Sequence, residues 1–437
     1  MVKTPESWGR YPKATHTVQR LKWSTDSLPE GRARSMLPFG LGRSYGDSCL
    51  NDGGELLLTE SLDHILAFDE EHGLIRCEAG VTLDEVLQVI VPRGWFLPTT
   101  PGTKFVTIGG AIANDIHGKN HHRAGTFGCH VTKFELLRST GERLLCTPEQ
   151  NGAWFAATIG GLGLTGLITW AEFQLRRVPN AMIDMESVKF ANLDEFFEIS
   201  AESDEHFEHT VSWLDCLATG KSLGRGIFMR GNHAGSQSQD LQIHRPPLLS
   251  VPLDFPDFAL NHFTIQVFNT LYYARAGRAV SRKMVHYDPF FYPLDALNQW
   301  NRIYGRRGFF QYQFVVPFSS DQQAIREIMV RIAASGQGSF LAVLKTFGER
   351  KSPGMLSFPS PGVTLALDFP NQGAATLALF GELDQIVLRA GGRFYPGKDA
   401  RMSARAFQDG YPSWQDFRKY VDPAFSSSFW RRVSSPV

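Results

Sequence analysis

Pro38-Phe39-Gly40-Leu41-Gly42-Arg43-Ser44-Tyr45-Gly46-Asp47-Ser48 places three glycines within seven residues, with Arg43 and Ser44 between them. Glycine reaches positive φ without steric cost, so successive N–H groups in such a stretch can converge on one anion. Arg43 and Ser44 add a charge and a hydroxyl donor. A second stretch is Pro101-Gly102-Thr103 followed by Thr107-Ile108-Gly109-Gly110-Ala111-Ile112-Ala113-Asn114-Asp115-Ile116-His117-Gly118-Lys119. Its small residues let the backbone lie against a flat ring, and its polar end supplies hydrogen-bonding groups beside that ring. The first stretch alone reads equally well as a tight surface turn. Together the two point to a planar, anionic ligand held largely by backbone.

A third cluster, Gly161-x-Gly163-x-x-Gly166, spells the dinucleotide fingerprint. That fingerprint needs a strand before it and a helix after it, so that the helix N-terminus meets the pyrophosphate. Here residues 148–157 read as a helix and residues 167–177 as a strand, which is the reverse order. A Rossmann nicotinamide site is therefore rejected; a packing turn is expected, with backbone contact to another cofactor still open.

Outward from these glycines the pattern is α+β. Glu55–Leu58 and residues 74–79 read as strands. Residues 82–91 read as a helix with Thr82 as N-cap and Glu85 completing a capping box. Residues 133–138 and 142–147 read as a hairpin around Thr140-Gly141. Past Pro179 the chain is richer in aromatics. Strands are expected at 211–217, Phe309–Val316, 339–347 and 363–369, and helices at 322–334 and 374–390. The expected organisation is a first domain at 1–179, a second at 180–392 with an antiparallel sheet covered by helices, and a segment 393–437 returning to the first. Residues 245–275, rich in Pro, Leu and Phe, read as core by default, or else as a mobile lid or an apolar ligand surface.

The chain length of 437 fits two or three domains at ~150 residues each. Lysine plus arginine number 44 and aspartate plus glutamate 44, so there is no electrostatic footprint for nucleic acid. No run of ~18 apolar residues predicts a spanning helix, and residues 1–23 lack the apolar centre of a signal peptide. Five scattered cysteines without a C-x-x-C pair predict neither a disulfide framework nor a metal site, and fit a cytoplasmic protein.

Gly42-Arg43-Ser44-Tyr45-Gly46-Asp47, the 107–119 run and Gly160-Gly161-Leu162-Gly163-Leu164-Thr165-Gly166 resemble the FAD-binding domain of the vanillyl-alcohol-oxidase type. Asp115-Ile116-His117-Gly118-Lys119-Asn120-His121-His122, Gln311-Tyr312-Gln313 and Tyr395-Pro396-Gly397-Lys398-Asp399 resemble, more narrowly, the decaprenylphosphoryl-β-D-ribose 2′-oxidase family. The likeness runs through nearly the whole chain. It implies a two-domain FAD-binding fold with an antiparallel-sheet substrate domain.

The resemblance implies that the pyrophosphate of FAD lies on Pro38, Gly40, Gly42, Arg43, Ser44, Tyr45, Gly46, Asp47 and Ser48. The flavin would be lined by Gly102, Thr107, Ile108, Gly109, Gly110, Asn114, Asp115, Ile116 and His117, with Ile168 and Tyr395 as further contacts. Many relatives bind the flavin covalently through a histidine just after the first loop's glycine. Asp47 stands there, so noncovalent FAD is implied, released on denaturation. Lys398, His117 and Lys119 map onto the catalytic set. Trp213, Tyr292, Gln311, Gln313, Lys345, Phe347, Ala366 and Lys398 map onto the substrate pocket. Without the resemblance, Trp213 and Phe347 read as core, and Gln311 and Gln313 as ordinary half-buried strand residues. Actinobacterial members carry a cysteine where this chain has Ala366, a thiol the chemistry does not need.

The implied reaction is oxidation of a secondary alcohol on a polyprenyl-phosphate-linked pentose, ribose 2′-OH to 2′-keto. It is the first half of an epimerisation that a separate NAD(P)-dependent short-chain reductase completes. The lipid tail implies contact with a membrane surface. An FAD oxidase of a free sugar, alditol or aldonolactone shares the first domain and stays open at this point. So does a flavin-binding protein without turnover.

Overall fold

The computed structural model describes residues 5–29, 34–235, 240–243, 249–277 and 279–435. The first glycine stretch leaves the end of a strand. Thr17–Arg20, Glu55–Leu58 and Met36–Phe39 form a parallel sheet with Glu55–Leu58 in the centre. Successive side chains of these strands alternate between two cores: Leu37, Leu56 and Leu58 pack into one, Met36 and Leu57 into another. A strand buried on both faces must be apolar throughout, which is why Leu56-Leu57-Leu58 is unbroken.

Beside it lies a five-stranded antiparallel sheet in the order Ile65–Asp69, Leu74–Glu78, Leu167–Gln174, Val131–Leu137, Arg143–Cys146. The helices Leu83–Ile90 and Ile108–Ala113 bury Val86, Leu87, Ile90, Ile108 and Ile112 with Ile75, Ala171 and Phe173 of that sheet. Leu83–Ile90 begins at the expected capping box: the Glu85 N–H donates to the Thr82 hydroxyl at 3.2 Å, and the Thr82 N–H donates to the Glu85 carboxylate at 2.7 Å.

The rest centres on an eight-stranded antiparallel sheet. Its order is Val280–His286, Met182–Phe190, Gly226–His233, His209–Leu214, Ala342–Phe347, Gly362–Pro370, Phe309–Val316, Arg393–Phe394. Phe310, Tyr312, Phe314 and Val316 point into a core shared with Leu193–His206, Asp321–Ser335 and Ala374–Arg389, while Gln311 and Gln313 point the other way. Leu344, Leu365 and Leu367 join the same core. Each such large side chain contributes about 2–5 kcal/mol by the cost of truncating it. The polar face opposite them closes over the glycine loops.

After Phe394 the chain leaves the big sheet and crosses back. Ser428–Val433 presents Arg432 to Asp47 at 2.6 Å and to Asp399 at 3.0 Å, joining the first loop to the last. Lys104 holds Asp84 at 3.0 Å and Asp288 at 2.6 Å.

Several expectations are corrected. The helix expected from 148 starts only at Gly152, because the Thr147 hydroxyl accepts the N–H groups of Glu149 and Gln150 and forms a turn instead. The strand expected through 177 ends at Gln174, and Arg176–Arg177 pair with Trp95–Phe96. Of the stretch expected as core at 245–275, residues 245–248 lie outside the described residues. Most of the remainder faces solvent, with Phe258 77% exposed, Phe263 70% and Leu271 64%, while Val251 and Ile265 are buried as expected.

Truncating Arg432 strands the buried Asp47 carboxylate. Arg432→Ala is expected to lower unfolding free energy by about 3 kcal/mol, read as a shifted urea midpoint at unchanged slope; an unshifted midpoint contradicts it.

Candidate active site

A cavity of about 390 Å³ lies between the glycine loops and the polar face of the eight-stranded sheet. Pro38, Gly40, Gly42, Arg43, Ser44, Tyr45 and Ser48 line one end. Gly102, Thr107, Gly109, Gly110, Asn114, Ile116 and His117 line the floor, with Gly163, Gly166 and Ile168 beside them. Trp213, Gln311, Gln313, Lys345 and Ala366 come from the sheet, and Tyr395 and Lys398 from the turn after it. Lys119 closes the far side.

Six expected residues do not line it. A Cβ on Gly46 would sit 1.6 Å from the Asp399 carbonyl oxygen, so this glycine serves chain packing. The Asp47 carboxylate is taken by Arg432. Ile108 is buried core. The Asp115 carboxylate accepts the Gly128 N–H at 2.9 Å and the Ser352 and Ser357 hydroxyls at 2.5 Å each. Tyr292 stands behind the wall, its hydroxyl 2.7 Å from that of Thr100. Phe347 packs its ring 4.9 Å from His117 and so supports it rather than meeting a ligand. The sequence reading missed Trp8, Thr100, Tyr272, Trp300, Val343 and Thr364, all in the lining. Thr364 was findable, two residues before Ala366 on one strand and thus on the same face. Nothing local marks the two tryptophans.

The wall carries unspent hydrogen-bonding capacity. The N–H groups of Leu41, Gly42, Arg43 and Ser44 donate to no protein acceptor among the described residues. Arg43 Nε, Ser48 Oγ, Asn114 Oδ1 and His117 Nδ1 are buried and equally without partners. Leaving such a group unpaired costs about 1–3 kcal/mol, so their convergence on one cavity marks the place of a polar ligand. The Arg43 guanidinium stacks 4.0 Å over Trp8. A Cβ on Gly102 would meet nothing within 4 Å, so the wall there is open space.

The profile of the FAD binding domain family matches residues 30–147. The chain is 38% identical to decaprenylphosphoryl-beta-D-ribose oxidase of Mycolicibacterium smegmatis, over 94% of this chain and 91% of that protein. It belongs to the decaprenylphosphoryl-β-D-ribose oxidase family. An uncharacterized protein of Streptomyces coelicolor is 32% identical over 81% of this chain and all of that protein. A putative D-arabinono-1,4-lactone oxidase of Neurospora crassa is 28% identical over only 37% of this chain.

The cofactor of this family member is FAD, and the protein is an FAD-dependent oxidoreductase. The cavity suits it. The four free N–H groups with Arg43 and Ser48 would answer the diphosphate, and the glycine floor would give a ring access to backbone. Asp47 offers no ring nitrogen to a flavin and is committed to Arg432.

Burial dominates the charges around the floor. It holds His117 well below the usual imidazole range, helped by Lys345, His121 and Lys398, so His117 is neutral. Gln313 Nε2 lies 3.2 Å from His117 Nε2 and donates to it, which leaves the ring proton on Nδ1. Burial pushes Lys398 down and Asp368, on the neighbouring strand, up. Burial, then Lys345 and His122, lowers His121 to about 3.

Gly102→Val is expected to leave the unfolding midpoint of the apoprotein within about 0.5 kcal/mol but to weaken FAD binding at least tenfold. Gly46→Ala is expected to lose stability first; the reverse assignment of the two variants contradicts the geometry. His121 binds a proton more weakly folded than unfolded, so its contribution is complete above pH 6.5 and drains away as pH falls toward 3. The unfolding free energy is expected to drop about 1.4 kcal/mol per pH unit from this one group. His121→Asn should flatten the decline measured by urea titration between pH 6.5 and 4.

Proposed function

We propose that the protein oxidises a secondary hydroxyl of a polyprenyl-phosphate-linked pentose, ribose 2′-OH to 2′-keto. The observation that carries this reading is the polar sheet face: Gln311, Gln313 and Lys345 with Lys398, set opposite the FAD-holding loops in one cavity. Likeness to the mycobacterial oxidase along nearly its whole length supports it.

Bound FAD supplies the two-electron acceptor for the carbinol hydrogen. The Gln313 amide N–H₂ is engaged by His117 and by Thr364 Oγ1 at 3.3 Å, which orients its carbonyl for a sugar hydroxyl. Neutral His117 keeps a proton at Nδ1 for donation. Lys398 Nζ rests 3.7 Å from the centre of the Tyr45 ring, and burial leaves part of it unprotonated near neutrality. It is the base that takes the hydroxyl proton. Ala366, flanked by Gln313 and Val343 on the neighbouring strands, leaves room above the sugar.

The lipid tail leaves past Trp213. The Trp213 and Tyr272 rings lie 4.6 Å apart, Tyr272 stacks on Phe268 at 5.8 Å, and Phe268 opens to the exposed apolar residues of His262–Arg275. Among the described residues no helix is long and apolar enough to cross a membrane. This apolar run supports contact with a lipid surface instead. A 2′-keto product requires reduction by a separate NAD(P)-dependent reductase to finish an epimerisation.

Anaerobic addition of a polyprenyl-phosphoryl ribose should bleach the flavin, while free sugars and lactones leave it oxidised; bleaching by free sugars alone would overturn this reading. Lys398→Met should retain FAD and lower kcat by about 10²–10⁴-fold. At saturating substrate kcat of the parent enzyme should rise with pH as Lys398 loses its proton, and the variant should lose that limb.

A further inference from the structure

Buried Lys104 and half-buried Lys119 and Lys345 obey different rules. Lys104 satisfies its charge with two carboxylates, Asp84 and Asp288. Lys119 and Lys345 have none. Lys119 Nζ donates to the Phe290 carbonyl and lies 4.6 Å from the centre of that ring; Lys345 Nζ donates to the Gly118 carbonyl at 3.2 Å. Neither forms an ion pair among the described residues, and both line the cavity. Burial alone pushes Lys119 down to about 7, and burial with repulsion from Lys119 and Lys398 pushes Lys345 down to about 7. Two neighbouring ammonium groups turned from water without a counter-charge are destabilising, since a buried cation needs a hydrogen-bonded anion to offset its lost hydration.

The position of Lys345 in the sheet, with Lys119 beside it, points to the missing anion. Lys345 lies opposite Thr364, one strand from His209–Leu214 with Trp213 and two strands from Phe309–Val316 with Gln313. Two strand spacings are about 10 Å, a gap the lysine and glutamine side chains narrow from both sides. Lys345 thus stands on the cavity face two residues along its strand from Val343, in the row that also holds Gln313 and Trp213. Lys119 joins it from the loop whose Gly118 carbonyl accepts the Lys345 ammonium. In a pentose whose anomeric carbon carries the phosphate, the 2′ carbon is adjacent to that anomeric carbon. The phosphoryl group therefore falls between the sugar and the tail.

We propose that Lys119 and Lys345 form a phosphoryl subsite that receives the anionic phosphodiester of the substrate and makes the enzyme selective for phosphorylated over uncharged glycosides. This rests on the substrate reading above. It removes Lys119 from the catalytic set implied by its motif and makes it a specificity determinant. The two lysines supply the counter-cation, and the substrate supplies the charge that the protein itself withholds.

The test uses the FAD-loaded enzyme and two ligands, farnesyl-phosphoryl ribose and the uncharged farnesyl riboside, with Kd read from flavin absorbance. The parent enzyme should bind the charged ligand at least 100-fold more tightly. Lys119→Met and Lys345→Met should each lose at least tenfold on the charged ligand and less than twofold on the riboside. Both variants should unfold at the same or higher temperature, because an uncompensated charge is removed; a framework role for the lysines would lower it. An unchanged ratio of the two affinities in both variants overturns the subsite, even if the charged ligand still bleaches the flavin. If instead the lysine-dependent binding holds but no ligand bleaches the flavin, the subsite stands and the substrate reading falls. A tenfold weakening of FAD itself in these variants, measured by flavin release, would assign the lysines to the cofactor diphosphate and overturn the proposal.

Discussion

Along the eight-stranded sheet successive side chains point to opposite faces, and that single constraint produces both the core and the active-site wall. Phe310, Tyr312 and Phe314 anchor one strand against the helices; Gln311 and Gln313, between them, have no choice but the cavity. Register carries the pattern across strands, aligning Gln311 with Asp368, Gln313 with Ala366, Ala366 with Val343, and Val343 with Trp213. A slip of one residue would drive two glutamines and a lysine into an aromatic core, so burial of the apolar face fixes the chemistry of the other.

The cavity is a joint product of this wall and the glycine loops, and neither is complete alone. The loops leave four N–H groups and several buried polar atoms unpaired. The sheet and the turn after it bring amides, aromatic rings and ammonium groups. Paired charges hold the halves in place: Arg432 between Asp47 and Asp399, and Lys104 between Asp84 and Asp288. Unpaired charges face the space left between. The protein spends its carboxylates on assembly and withholds them from the ligand, so the electrostatic demand of the cavity falls on cofactor and substrate.

Much of this was legible in the sequence where the governing interaction is local. The Thr82–Glu85 capping box, the strand Phe309–Val316 and the turn-bounded hairpin all rest on contacts within a few residues. Met182–Phe190, Gly226–His233 and Val280–His286 were not marked, because charged residues such as Asp184, Glu186, Arg230 and Lys283 interrupt their apolar pattern. Their partners are supplied by neighbouring strands; Arg230, for one, pairs with Glu186 at 3.2 Å. The described part of the 245–275 stretch misled at most of its apolar positions because an apolar composition is the same whether a segment is buried or exposed.

The sequence by itself determined that glycines free the backbone at 40–46 and 102–110, that Asp47 offers no covalent attachment point, and which residues carry the flavoenzyme resemblance. Those are properties of residue identity and short spacing. Only the tertiary structure decided which of the matched residues face the cavity: Gly46, Asp47 and Asp115 are spent on contacts with residues more than ten positions away, and Tyr292 and Phe347 stand one layer behind. It alone separated Lys104 from Lys119 and Lys345, which composition treats alike. Whether a lysine is paired depends on carboxylates brought by distant segments, and no local pattern encodes their arrival.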